Sequence, residues 1–222
     1  MVTDARRSRP DDGRDRQART RLARAAVIEA ARTLFLERGY AGTTIEAVSD
    51  LSDVPPATVY RLFSSKLGIL KQLFNVSIAG DDEAIPLTDR PHVRALIADQ
   101  DPRKQLSGFV SISRGIMART EPLHQILVSA AGSDPDAAAL LAELTRQRRH
   151  GQGQIASLFA GAGTLRPGLR EREAADIIHA LMSPEVYRLL VGDGGWSPER
   201  YEQWLRGTLI DQLLPPPAPG RP

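Results

Sequence analysis

Between residues 43 and 66 the chain gathers hydroxyl groups and cations: Thr43, Thr44, Thr58, Tyr60, Arg61 and Lys66. Hydroxyl and ammonium groups on short ordered segments hold phosphate oxygens, and an arginine can donate two parallel hydrogen bonds to a base edge. That is recognition chemistry. It needs side chains fixed along one surface, not a nucleophile beside a base.

The surrounding residues supply such a surface. Thr43 and Thr44 suit the start of a short helix, and Glu46, three residues after Thr43, makes a capping box. Ile45, Val48 and Leu51 recur at helical spacing and are expected to face a core. Ser52 and Asp53 interrupt the pattern. Pro55 and Pro56 fit only the first turn of a helix, so a second helix begins there and runs from Ala57 to about Leu62. Val59 and Leu62 turn inward on it; Thr58, Tyr60 and Arg61 are left outside. Phe63 closes the unit, and Ser64 or Ser65 caps a following helix led by Lys66. Two short helices joined by a tight turn, the second carrying small, hydroxyl and basic side chains, fit the major groove of duplex DNA. Upstream, Leu22, Ala25, Ala26, Ile28, Ala31, Leu34 and Phe35 form the buried stripe of a bracing helix from about Thr20 to Arg38, stopped by Gly39.

At these residues the chain resembles the TetR family of bacterial transcriptional repressors. The family pattern joins an aromatic after a glycine, paired threonines and a T-[ILV]-Y-x-x-F-x-[ST]-K run. Here these are Gly39-Tyr40, Thr43-Thr44, then Thr58-Val59-Tyr60, Phe63, Ser65 and Lys66, within a match over about residues 20–75. Two positions depart from it: Asp53 stands at the usual turn glycine, and Pro55 at the usual first serine of the recognition helix. The resemblance implies an all-α fold, with an N-terminal three-helix helix-turn-helix domain followed by a helical bundle for ligand binding and dimerisation. It also implies double-stranded DNA with a palindromic operator as partner. Thr43, Thr44, Tyr60 and Lys66 are then expected on phosphates, and Pro55, Ala57, Thr58 and Arg61 in the groove.

Competing chemistry has little support. Gly161-Ala162-Gly163-Thr164 lacks the lysine-hydroxyl pair of a phosphate loop and follows a helix instead of a strand. No G-x-S-x-G or H-E-x-x-H pattern occurs, and His92, His124, His150 and His179 are scattered. We expect no enzyme activity, cofactor or metal. With no cysteine, the 222-residue chain has no disulfide scaffold. Its apolar runs are too short for a bilayer span, so a cytoplasmic protein without membrane association is expected. The net charge of +2 conceals an asymmetry: residues 1–78 hold 13 basic against 9 acidic side chains, and residues 79–222 hold 16 against 18. The basic excess falls in the half carrying the helix-turn-helix.

The expected organisation is a polar arm (1–17), the DNA-binding domain (18–66), a connecting helix (67–80), a regulatory and dimerisation domain (81–215) and a tail (216–222). Arg14, Arg16 and Arg19 of the arm could reach phosphates or a minor groove. An acidic connector spans Gly80 to Pro91. Beyond it, periodicity gives helices from Asp101 to about Arg119, from Glu121-Pro122 onward, from Ser133-Asp134-Pro135 to about Phe159, from Arg170 to about Val191, and from Ser197 to Leu214. Phe109, Ile112, Ile116, Met117, Leu144, Ile178 and Met182 are expected to wall a cavity for a small hydrophobic ligand, with Arg114 as its polar group. Tyr187, Leu190, Trp204, Leu205, Leu209, Ile210 and Leu213 put more apolar surface on the last two helices than one bundle covers, which points to a homodimer. The full reading is a dimeric repressor released by a ligand. Its alternatives are a DNA-binding regulator without a small-molecule ligand, and a helical interaction or enzyme domain keeping the helix-turn-helix as scaffold.

Overall fold

The computed structural model describes residues 12–80 and 89–216. Residues 1–11, 81–88 and 217–222, which hold most of the expected arm (1–17), connector (80–91) and tail (216–222), lie outside the described residues; residues 12–17 of the expected arm are helical. Among the described residues the secondary structure is helical, without strands, and the chain divides into two compact units, to Leu73 and from Phe74.

In the first unit α1 (Asp12–Arg38) starts well before the expected Thr20. Its buried face is Val27, Ile28, Ala31, Leu34 and Phe35, spaced for one side of a helix. Leu22, assigned to that stripe from sequence, is 67% exposed. The chain leaves α1 through Gly39, whose φ of 68° is a left-handed conformation that costs glycine nothing. Next come α2 (Ile45–Ser52), α3 (Pro56–Phe63) and α4 (Lys66–Ala79). Ile69, Leu70 and Leu73 of α4 are fully buried, and the unit boundary falls just after them.

The second unit contains α5 (Pro91–Ala98), in a stretch where no helix was expected. Then α6 (Pro102–Ala131) runs as one helix where sequence suggested two. Pro122 removes an N–H from its interior and should orphan the carbonyl of Ala118. Both residues are exposed, so that carbonyl can be solvated. Met117 and Thr120 before the proline, and Leu123 and Leu127 after it, are buried, which keeps the helix continuous. Asp134 caps α7 (Pro135–Gly161) as expected, accepting from the N–H groups of Asp136 and Ala137.

The helix expected over 170–191 is broken. α8 (Glu171–Leu181) stops before Ser183, whose hydroxyl accepts from Val186 N and starts α9 (Pro184–Tyr187). A π-helical segment, Arg188–Asp193, continues it. Ser197 caps α10 (Pro198–Leu213) by accepting from Arg200 N. Leu106, Phe159, Ile178, Tyr201, Leu205 and Leu209 are at the centre of the core that joins α6, α7, α8 and α10.

Candidate nucleic-acid interface and regulatory cavity

The α2–α3 turn is built from its own backbone and one serine. Asp53 adopts φ 54°, ψ 32°, the left-handed conformation for which glycine is the usual choice, and its N–H donates to Ser49 O. Ser49 is buried, and its hydroxyl donates to Val54 O at 2.7 Å. The turn therefore pairs the buried Ser49 hydroxyl and the Asp53 N–H within itself. Pro55 and Pro56 begin α3 with no N–H to leave unpaired.

Val59 and Phe63 point inward from α3; Pro55, Ala57, Tyr60 and Arg61 are exposed and Thr58 is half-buried. These residues form one outward face. Behind it, Arg24 of α1 donates to Leu62 O at 3.0 Å and stacks over the Phe63 ring at 5.2 Å, bracing the C-terminal end of α3. Gly68 permits the α3–α4 corner, because a Cβ there would lie 2.0 Å from Phe63 O. Ser65 caps α4 through its hydroxyl, which accepts from Gly68 N. Neither Arg24 nor Gly68 is singled out by the sequence: Arg24 acts on a carbonyl 38 residues away, and Gly68 matters only through the close approach of Phe63 O at the corner.

Four expectations change here. Of the two candidate caps it is Thr44 that caps α2: its hydroxyl accepts from Ala47 N, so Glu46 does not complete a capping box with Thr43. Thr43 is fully buried and its hydroxyl donates to Gly39 O at 2.8 Å, which removes it from the phosphate-facing surface. Leu51, expected in the core, is 54% exposed. Lys66 is also committed within the fold. Its Nζ donates to Tyr40 O at 2.6 Å and Thr43 O at 2.8 Å, and lies 4.2 Å from the centre of the Tyr40 ring. An ammonium satisfying two carbonyls and a ring face is a brace, so we assign Lys66 to positioning.

In the second unit a cavity of about 470 Å³ opens between helices. Along α6 its wall is Phe109, Ile112, Ser113, Ile116, Met117, Thr120 and His124, one face of the helix at three- and four-residue intervals. Leu144, Arg148, Gln152, Ile155 and Leu158 of α7 face them, joined by Phe74, Ile78, Val93, Ile97, Met182 and Pro184. The wall is mainly apolar, with Ser113, Thr145, Gln147 and Gln154 as further polar members, and its one charged residue, Arg148, sits in a polar cluster with Gln152 and His179. There Gln152 donates to Met182 O at 2.9 Å, while its Oε1 lies 2.8 Å from His179 Nδ1. With the Gln152 amide so placed, His179 carries its proton on Nδ1 and leaves Nε2 as an acceptor, 3.5 Å from Arg148 Nη2. Arg148 Nη1 donates to His179 O at 3.1 Å and approaches Met182 O at 3.5 Å. Burial lowers the His124 and His179 pKa values, and the positive charge of Arg148 lowers both further.

Residues 27–73 match the model for bacterial regulatory proteins of the tetR family. The chain carries the TetR family's DNA-binding segment. It is similar to the HTH-type transcriptional regulator TcmR of Streptomyces glaucescens, 29% identical over 71% of this chain and 68% of that one. It is also similar to the HTH-type transcriptional repressor BdcR of Escherichia coli strain K12, 34% identical over 31% of this chain and 34% of that one. Two solved structures share the fold, each with a TM-score of 0.66. One is a transcriptional regulator from Saccharomonospora viridis in complex with choline, 19% identical, covering 87% of this chain and 98% of that one. The other is FadR from Bacillus subtilis in complex with stearoyl-CoA, 17% identical, covering 85% and 98%.

The remaining expectations divide. Phe109, Ile112, Ile116, Met117, Leu144 and Met182 do line the cavity. Ile178 does not, being packed in the core, and Arg114 turns away to pair with Glu202 of α10 at 3.1 Å. Arg148 is the cavity's charged residue instead. Of the expected interface, Tyr187, Leu205, Leu209 and Leu213 are buried within the single chain, so they hold α10 and α9 in place. Leu190, Trp204 and Ile210 remain half-exposed. The helix periodicity that marked all seven does not distinguish packing within one chain from packing against a second. Among the described residues no helix is long and apolar enough to cross a membrane.

Proposed function

We propose that this TetR-family transcriptional regulator is a dimeric repressor that binds an inverted-repeat operator and leaves it when a small molecule fills the cavity. The outward face of α3 carries the reading. Pro55, Ala57, Thr58 and Arg61 are the groove-facing set, and Thr44 and Tyr60 the phosphate contacts on either side. An eight-residue helix is only ~12 Å long and reads a few base pairs, so useful specificity needs two copies on two half-sites. Leu190, Trp204 and Ile210 are the side chains that a second copy would cover.

The cavity supports release by ligand. Arg148 lines it and also holds the carbonyls at the end of α8, so an occupant that engages Arg148 alters the anchoring of a helix beside α10. The extent of release is limited by the occupant's differential affinity for the two conformations. That relatives of the same fold hold choline or stearoyl-CoA, and that BdcR is named a repressor, agree with this reading.

The test is footprinting on the DNA upstream of the protein's own gene, with stoichiometry by sedimentation. Two chains on one protected palindrome support the proposal. A single chain bound, or protection without sequence preference, contradicts it.

A further inference from the structure

We propose that the cavity's ligand is an apolar molecule carrying one carboxylate, and that Arg148 is the group that pairs with it. The inference rests on the reading of the cavity as a ligand site and specifies what that site accepts.

Shape and polarity come first. On α6 the wall runs from Phe109 to His124, a rise of roughly 22 Å at helical pitch. On that helix the residues are apolar to Met117 except Ser113 and polar from Thr120, while α7 contributes Leu144, Ile155 and Leu158 together with Thr145, Gln147, Arg148, Gln152 and Gln154. An elongated apolar body with one polar end matches that gradient.

The identity of the polar end follows from accounting for donors and charges. Gln152 spends its amide on Met182 O and His179. His124 and His179 are held toward their neutral forms by burial. Arg148 is the one charged side chain among the described residues of the wall. Its guanidinium meets carbonyl oxygens and a neutral imidazole, with no carboxylate of the described residues in ion-pair contact. Glu185 is an acid whose charge influences it; its own oxygens serve Ser183, its backbone and His124. A half-buried guanidinium bonded only to neutral groups has lost hydration without gaining a full counter-charge. A ligand carboxylate restores it through a charge-assisted, two-point bond that only arginine's fork can make. A cationic headgroup would face Arg148 with no anion on the wall, and a dianion would meet one positive charge where it needs two.

Calorimetry on the full chain compares dodecanoate with dodecanamide, and naphthoate with naphthamide. Each acid should bind about ten-fold or more tighter than its amide, a difference of about 1.4 kcal/mol. Arg148→Gln should erase the difference while amide binding persists, and Arg148→Lys should restore part of it. Because Arg148 also braces α8, a second reading uses the native chain: carboxyl-labelled dodecanoate, followed by carbon NMR, should titrate at lower pH when bound than when free. Equal affinities for acid and amide, an acid preference surviving in Arg148→Gln, or a bound acid with a raised pKa would each overturn the assignment. If the amides bind but without disadvantage, the cavity remains a ligand site and only the carboxylate falls. If none of the four probes binds, the carboxylate assignment falls too, while operator footprinting still judges the DNA-binding reading separately.

Discussion

Lys66 and Tyr40 are joined twice: the ammonium donates to the Tyr40 carbonyl at 2.6 Å and sits 4.2 Å from the centre of its ring. With the further bond to Thr43 O, this ties the start of α4 to the loop preceding α2. Lys66→Met leaves two carbonyls without their donor and should cost the first unit about 1–3 kcal/mol. Denaturant unfolding of the full chain, followed at that unit by hydrogen exchange, measures it. DNA affinity should fall with stability, and the salt dependence of the folded fraction should stay unchanged. A salt slope lowered by about one, with stability intact, would instead place Lys66 on a phosphate.

Arg61 is exposed on the same face of α3 as Ala57 and Tyr60. Arg61→Ala should cost about 1–3 kcal/mol on the operator and relax preference at one position in each half-site. Fluorescence anisotropy on operator and random duplexes separates the cases. Equal losses on both would make Arg61 a phosphate contact.

The last helix offers a paired prediction. Ile210 is half-exposed, whereas Leu209 beside it is fully buried with Leu205 and Tyr201. Ile210→Glu should give a folded monomer with weak, nonspecific DNA binding. Leu209→Glu should fail to fold, since it buries a charge among leucines. Sedimentation and circular dichroism distinguish the outcomes; a dimer persisting in Ile210→Glu would move the interface elsewhere.

The second unit should lose stability on acidification. Burial lowers the pKa of His124 and His179 in the folded state, with Arg148 adding to both and Arg149 to His179. Glu185 opposes the shift at both histidines, and Asp176 opposes it at His179, without cancelling it. The unfolded chain then takes up protons first, as pH drops below about 6.5, and the stabilisation present above that pH is lost toward the lower folded values. Melting temperatures from pH 7.5 to 5.5 should fall, and should fall less in the His124→Asn, His179→Asn double variant. A flat profile in the native chain contradicts the assignment.

Local signals account for what could be read before the structure. Asp134-Pro135 and Ser197-Pro198 marked helix starts because a cap and a first-turn proline act within one turn. Ser183-Pro184-Glu185 repeats the pattern of Ser197-Pro198-Glu199, yet apolar periodicity across it suggested an unbroken helix. Pro122 erred in the other direction: burial on both sides outweighed one missing hydrogen bond. The outward residues of α3, proposed to face DNA, are legible in the sequence because α3's neighbours in sequence are its neighbours in space. Arg148 is not, because its meaning comes from Met182 and His179 more than thirty residues away.

In the proposed complex α3 reads DNA as one of two symmetric copies. Selecting binding sites from a pool of random duplexes, with the native chain and with Arg61→Ala in parallel, tests this most directly. The native chain should enrich an inverted repeat, and the variant should lose preference at the same position in both half-sites. A pool that stays random with the native chain, or a motif without two-fold symmetry, would contradict it.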